Sequence, residues 1–189
     1  LLFASAQSPA MLEYLDNAVS SKDHPNENYA RELMELHTLG VDGGYTEQDV
    51  YEVARAFTGW TIRADGTFFF DPDNHDTDAK TVLGVSLPAG RGIEDGLQVL
   101  DIVATHPATA SFISTKLIQR FVQDDPPASF VESTAAVFIQ SAGDIRAVLR
   151  HIFASDEFLA SAGQKFRRPL EYVIAVLRAL SPAVQIDAP

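Results

Sequence analysis

The sequence predicts a mainly α fold, a helical domain with a small β-hairpin insertion near residues 61–85. Three observations lead there. Apolar residues recur at helical spacing through most of the chain. That rhythm breaks between Gly59 and Val85, where strand-favouring residues alternate with turn residues. The 189 residues, 46% hydrophobic and 21% charged, suffice for one domain with a real apolar core. Residues 1–189 therefore read as a single mainly helical domain.

Pro9 opens a first helix running through Leu12, Leu15 and Val19. Asn26 or Asn28 caps a second, from about Tyr29 to Thr38, which Gly40 stops. Thr46, followed three residues later by Asp49, caps a third, in which Val50, Val53, Ala54 and Phe57 share one face. Gly66 then separates two β-favouring stretches, which suits a hairpin of Thr61–Arg63 with Thr67–Phe70. Phe68, Phe69 and Phe70 cannot all face one side of a strand. The loop Asp71–Lys80 follows, and then a strand at Thr81–Val85. Helices resume at Ile93–Thr105, Pro107–Gln123, Ala128–Gln140, Asp144–Ala154 and Pro169–Leu180, with links at Asp124–Pro127 and Ala160–Arg168. In the Pro107 helix, Ala110, Ile113, Leu117 and Phe121 form the buried stripe and leave Lys116 and Arg120 outward.

Composition narrows the function classes. With 14 basic and 26 acidic residues the formal charge is −12, a field that repels phosphate backbones and anionic membranes. No nucleic acid is expected as a partner. No apolar run approaches the roughly 20 residues of a spanning helix, so no membrane insertion is expected and the domain reads as soluble. The apolar opening Leu1–Ala10 lacks a basic leader and is not read as a signal peptide. Cysteine is absent, which excludes disulfides and thiolate chemistry.

Two polar clusters are candidates for chemistry. On the Tyr29–Thr38 helix, Glu32 and Glu35 are three apart and hence neighbours. Adjacent carboxylates supply a general acid or base, with Asn28 and Arg31 beside them as substrate contacts. The same pattern also describes a solvated face in which Arg31 pairs with Glu27 and Glu35. The second cluster is the loop "DPDNHDTDAK", where Asp71, Asp73, Asp76 and Asp78 surround His75 and precede Lys80. Its oxygen ligands suit calcium or magnesium, and the histidine admits zinc or manganese, although the spacing is neither an EF-hand nor a zinc signature. A polar loop whose Asp and Asn residues bond their own backbone is the other reading. Trp60, the only tryptophan, either stacks on a sugar ring or anchors the core at the helix–strand junction.

Several stretches carry a resemblance: "PAMLEYLDN" at Pro9–Asn17, "PNENYARELMELHTLGV" at Pro25–Val41, "YTEQDVYEVARAFTGW" at Tyr45–Trp60, and "HD…K…LG" at His75, Asp76, Lys80, Leu83 and Gly84. With "HPATASFISTKL", "GDIRAVLRHIFASDEF" and "RRPLEYVIAVLRAL" following in the same order, the chain resembles the domain-of-unknown-function 1800 family (DUF1800) over nearly its whole length. The resemblance implies a bacterial, often exported protein, periplasmic or extracellular. It also implies a neighbouring-gene partner of the domain-of-unknown-function 1501 family. Asp78 stands where the family pattern usually has glycine. The resemblance further implies that the chain is the central portion of a longer family domain, with apolar Leu1–Ala6 exposed as a consequence.

Two functions fit these residues. One is a hydrolase or lyase acting on a polysaccharide or cell-wall polymer. Glu32 or Glu35 would be its acid or base, and His75 and Asp76 its base or its ligands for a divalent cation shared with Asp73 and Asp78. Asn28, Arg31, Trp60 and Lys80 would contact substrate. The other is a non-catalytic scaffold that docks the neighbouring-gene product. An enzyme should bring Glu32 or Glu35 to His75 and Asp76 in one concave site, whereas a scaffold should leave them apart and expose an apolar patch elsewhere.

Overall fold

A computed structural model describes residues 1–165 and 168–180. Helices dominate it. Residues Leu2–Ala6 (α1), Pro9–Tyr14 (α2), Glu27–Glu35 (α3) and Glu47–Ala56 (α4) come first. Four short strands follow at Trp60–Ile62 (β1), Phe68–Phe70 (β2), Lys80–Val82 (β3) and Val85–Leu87 (β4). Six further helices complete the described chain: Glu94–Thr105 (α5), Pro107–Phe121 (α6), Ala128–Gln140 (α7), Ile145–Phe153 (α8), Asp156–Ala160 (α9) and Pro169–Leu180 (α10).

Local signals set most of these boundaries. Pro9 and Pro107 sit in the first turns of α2 and α6, where a missing N–H costs nothing. Asn26 caps α3 by accepting from the Asn28 N–H. Thr46 and Asp49 bond reciprocally in a capping box at the start of α4.

Four expectations need correction. The first helix stops at Tyr14 because Asp16 turns to φ 58°, and a 3-10 turn at Asn17–Val19 leaves Val19 exposed. The strand placed at Thr81–Val85 is a second hairpin, β3 with β4, reversed at Leu83 and Gly84, both at positive φ. The buried stripe of α6 runs through Ala110, Ser114 and Ile118, so Phe121 lies exposed. The α9 helix occupies a stretch with no expected element. Its five residues are too few to show a period.

Antiparallel pairing of Trp60 with Phe70 and of Ile62 with Phe68 divides the three phenylalanines. Phe68 and Phe70 pack on the core, while Phe69 faces the other way and carries the Arg63 guanidinium 4.5 Å above its ring.

The buried residues form two cores. The first joins α1 to α5 with the strands, around Tyr29, Leu33, Phe57, Trp60 and Leu100. Rings interlock through it, Tyr29 to Phe57 at 5.1 Å, Phe57 to Trp60 at 4.8 Å and Trp60 to Phe68 at 5.1 Å. The second lies among α6, α7 and α8, around Ile118, Phe130, Phe138, Val148 and Ile152. It is smaller, and among the described residues it contains no buried charge.

Candidate functional site

The loop Asp71–Lys80 is held on the end of α4 by charge. Arg55 reaches out of α4 as a fork, Nε to Asp76 Oδ2 at 2.7 Å and Nη2 to Asp76 Oδ1 at 3.1 Å. Its remaining nitrogen donates to Glu52 at 2.9 Å and to the Ala79 carbonyl at 3.2 Å. Glu52 in turn accepts from Gln48 and from the Thr81 N–H. The Asp76 N–H donates to Thr58 Oγ1, and the Asp78 N–H donates back to Asp76 Oδ1. Burial alone would push the Asp76 carboxyl up. The hydrogen bonds from Arg55 and Asp78, with the charges of Arg55 and Lys80, outweigh that and hold it below the usual aspartate range. Arg55 is correspondingly held more firmly protonated, chiefly by its bond to Asp76.

A second layer sits deeper. Lys80 is fully buried, and its ammonium spends all three donors on Asp95 Oδ2 at 2.8 Å and on the carbonyls of Asp76 and Asp78. Asp95, 1% exposed, is also 3.2 Å from Arg91 Nε and 3.5 Å from His75 Nε2. The other ring nitrogen, His75 Nδ1, lies 2.8 Å from the Thr58 carbonyl. A carbonyl only accepts, so that contact places a proton on Nδ1 and turns Nε2 toward Asp95. Gly59 makes the approach of loop to helix possible. It has φ +79°, and a Cβ there would meet the Asp71 carbonyl at 2.4 Å.

Sequence reasoning thus found half of this network. His75, Asp76 and Lys80 do converge, but onto Arg55, Glu52, Asp95 and Arg91, which it missed. Asp95 resembles an ordinary first-turn acid of α5, and Arg55 an ordinary last-turn base of α4. No local pattern links residues 15 and 21 positions apart. Asp78 takes its place without a left-handed backbone: among the described residues, only Asp16, Leu83 and Ala142 combine a side chain with positive φ.

The other candidates are dispersed. Among the described residues, no three His, Asp or Glu side chains gather as a metal ion would need. The Asp73, His75, Asp76 and Asp78 set does not fit a divalent cation, because Asp76 is committed to Arg55, while Asp73 and Asp78 stand exposed. The neighbouring Asp71 carboxylate bonds the Asp73 N–H and the Asn74 side chain, as an ordinary turn does. Trp60 is fully buried and offers no face to a sugar, and Lys80 has no donor left for a substrate. Glu32 and Glu35 are half-buried on α3. Arg31 pairs with neither of them but with Glu47 at 2.6 Å and Glu27 at 3.4 Å. Asn28 is exposed and gives its N–H to the α3 cap. A depression of about 380 Å³ borders His75, Asp76, Asp73, Asp78 and Lys22, and includes neither Glu32 nor Glu35.

The large apolar surface lies at the other end of the chain. Helix α10 buries no residue, and Leu170, Val173, Ile174, Leu177 and Leu180 follow the i, i+3, i+4, i+7 spacing of one helix face. Each is at least 43% exposed. At the N-terminal end, Leu1 and Phe3 are exposed as expected, while Leu2 packs against the core and Ala6 is buried.

No helix among the described residues is long and apolar enough to cross a membrane. No curated protein and no solved structure matches the chain. The family model described as "Protein of unknown function (DUF1800)" matches residues 1–188, and the chain therefore belongs to the domain-of-unknown-function 1800 family.

Proposed function

We propose that this protein is a non-catalytic docking partner that presents the apolar face of α10 to a second protein, the neighbouring-gene product of the domain-of-unknown-function 1501 family. The observation that carries this reading is the stripe Leu170, Val173, Ile174, Leu177 and Leu180, open to solvent on a helix with no buried residue. Contiguous apolar surface of this kind marks interaction sites, and the spacing is that by which an amphipathic helix enters a partner's groove. The polar groups support the same side. Asp76 and Lys80 of the 71–80 loop are engaged by Arg55 and Asp95, as in a structural lattice, where a site that awaits substrate would keep such groups open. A hydrolase or lyase would need Glu32 or Glu35 on the depression that His75 and Asp76 border, and neither lines it.

Co-purification with the 1501-family protein, followed by calorimetric titration, tests the proposal. Replacing Ile174 and Leu177 together by aspartate should weaken the complex at least about tenfold, since buried apolar anchors dominate such interfaces. Melting of the isolated chain should not change, because both side chains are exposed. A complex that survives the double substitution, or the absence of any complex, would overturn it.

A further inference from the structure

The far side of α10, away from its apolar stripe, bounds a groove with two chemistries. One half, about 620 Å³, is walled by Phe121, Phe158, Leu159 and Ala175. The other, about 520 Å³, is walled by Lys116, Arg120, Lys165 and Arg168 with two carboxylates, Asp124 and Glu171. Arg120, Lys165 and Glu171 line both halves, so the two adjoin across these side chains. Both carboxylates are already engaged, Glu171 by Arg120 and Asp124 by Lys165. Lys116, resting over the Phe112 ring, and Arg168 supply positive charge in excess. In a chain of formal charge −12 this is a local reversal of sign.

We infer that this groove binds a single-chain anionic amphiphile, with a carboxylate or phosphate head at Lys116 and Arg168 and an apolar tail along Phe121, Phe158 and Leu159. A small inorganic anion would use only the basic half and leave the apolar walls wet. A neutral apolar ligand would use only the other. An anionic head on an acyl chain satisfies both, because apolar walls with a few placed polar groups are the ordinary make-up of a ligand site. The inference goes beyond the docking role of α10. Glu171 and Ala175 face the groove, whereas Val173, Ile174 and Leu177 lie round the helix from them at 100° per residue.

Calorimetric titration of the whole chain with monomeric decanoate, decyl phosphate and decanol decides it. Saturable one-to-one binding of both anions is expected, with decanol at least about tenfold weaker. Lengthening the tail from eight to twelve carbons should tighten binding roughly two- to fourfold per methylene. The pair Lys116→Glu, Arg168→Glu should weaken both anions at least about tenfold and leave decanol unaltered. Leu159→Asp should weaken all three ligands. All these positions are exposed, so folding is retained, and Arg146→Glu on α8 serves as the charge control. The inference falls if no saturable binding occurs, if binding ignores the head group or the charge reversals, or if the chain binds only to anionic vesicles. Retention of amphiphile binding by the Ile174, Leu177 double variant separates this result from the fate of the docking surface.

Discussion

The two cores are held together differently. The first, α1 to α5, buries Glu52, His75, Lys80 and Asp95 and uses them to fasten an irregular loop to a helix end. The second, α6 to α8, buries apolar side chains with Thr134 and Ser114, and its salt bridges lie on the surface, Arg120 with Glu171 and Lys165 with Asp124. Regular helices satisfy their own backbone and need only an apolar face to stack. A ten-residue loop cannot do that, and here ionic side chains supply the missing partners. Buried ionic pairs here therefore mark where the fold is irregular.

The largest expected effect follows from that difference. Asp95→Ala strips Lys80 of its only carboxylate within 3 Å and leaves a buried ammonium with the Asp76 carboxylate alone, at 3.8 Å and shared with Arg55. Such losses run to about 3–5 kcal/mol, or roughly 6–20 °C in the melting temperature of a chain this size. Glu171→Ala, which also breaks a salt bridge, should barely move the melt because its partner stays in water. Equal effects of the two substitutions, read by thermal denaturation, would erase the contrast between the regions.

Packing gives the next effect. A Cβ at Gly96 on α5 would stand 2.6 Å from Cζ2 of the buried Trp60 ring. Gly96→Ala should therefore cost about 1–3 kcal/mol in spite of its better helix propensity. An unchanged or raised melting temperature would show that the ring ladder from Tyr29 to Phe68 can shift to make room.

Those two positions show what the sequence could reveal. Caps and helix starts were legible because Pro9, Asn26, Thr46 and Asp49 act on residues no more than four away. Burial of Trp60 at a junction was legible as one of two readings of a lone aromatic. The partnership of Asp95 with Lys80, and of Arg55 with Asp76, was not. Periodicity records which face of an element is buried, and it is silent on which charge meets which across a loop. The same silence left the sequence unable to show that Asp76 and Lys80 are engaged by Arg55 and Asp95.

Acid should loosen the first region selectively. Asp76 is held low by Arg55 and by the Asp78 N–H, against the effect of burial. Asp49 is likewise held low, against burial, by Thr46 and the Leu83 N–H. A carboxylate whose folded value is depressed contributes fully above the ordinary aspartate value near 3.9, and the contribution drains away as the pH falls through the lowered value. Hydrogen exchange between pH 6 and pH 2 should show α4 and the 71–80 loop opening before α7 and α8. Asp76→Asn should flatten that pH dependence. Opening that begins in α7 would mean that the carboxylates of the first region are not what the acid reaches.

The smallest effect belongs to Glu32 and Glu35, and it is informative because they share a region with Asp95 and a charge with it. They lie on α3, half-buried, with Arg31 committed to Glu47 and Glu27. Neither anchors a loop, and as like charges three apart they repel one another mildly. Glu32→Gln and Glu35→Gln should thus each change stability by less than about 0.5 kcal/mol, with a slight gain at low salt as that repulsion is relieved. Their removal should also leave the proposed complex with the 1501-family protein intact, since the docking proposal rests on α10 and not on α3. A loss above about 1 kcal/mol in either variant would mean that a carboxylate outside the ion lattice is nevertheless tied into the first core. Position in the fold, with the partners it brings, would then no longer explain why one acid of this region matters and its neighbours do not.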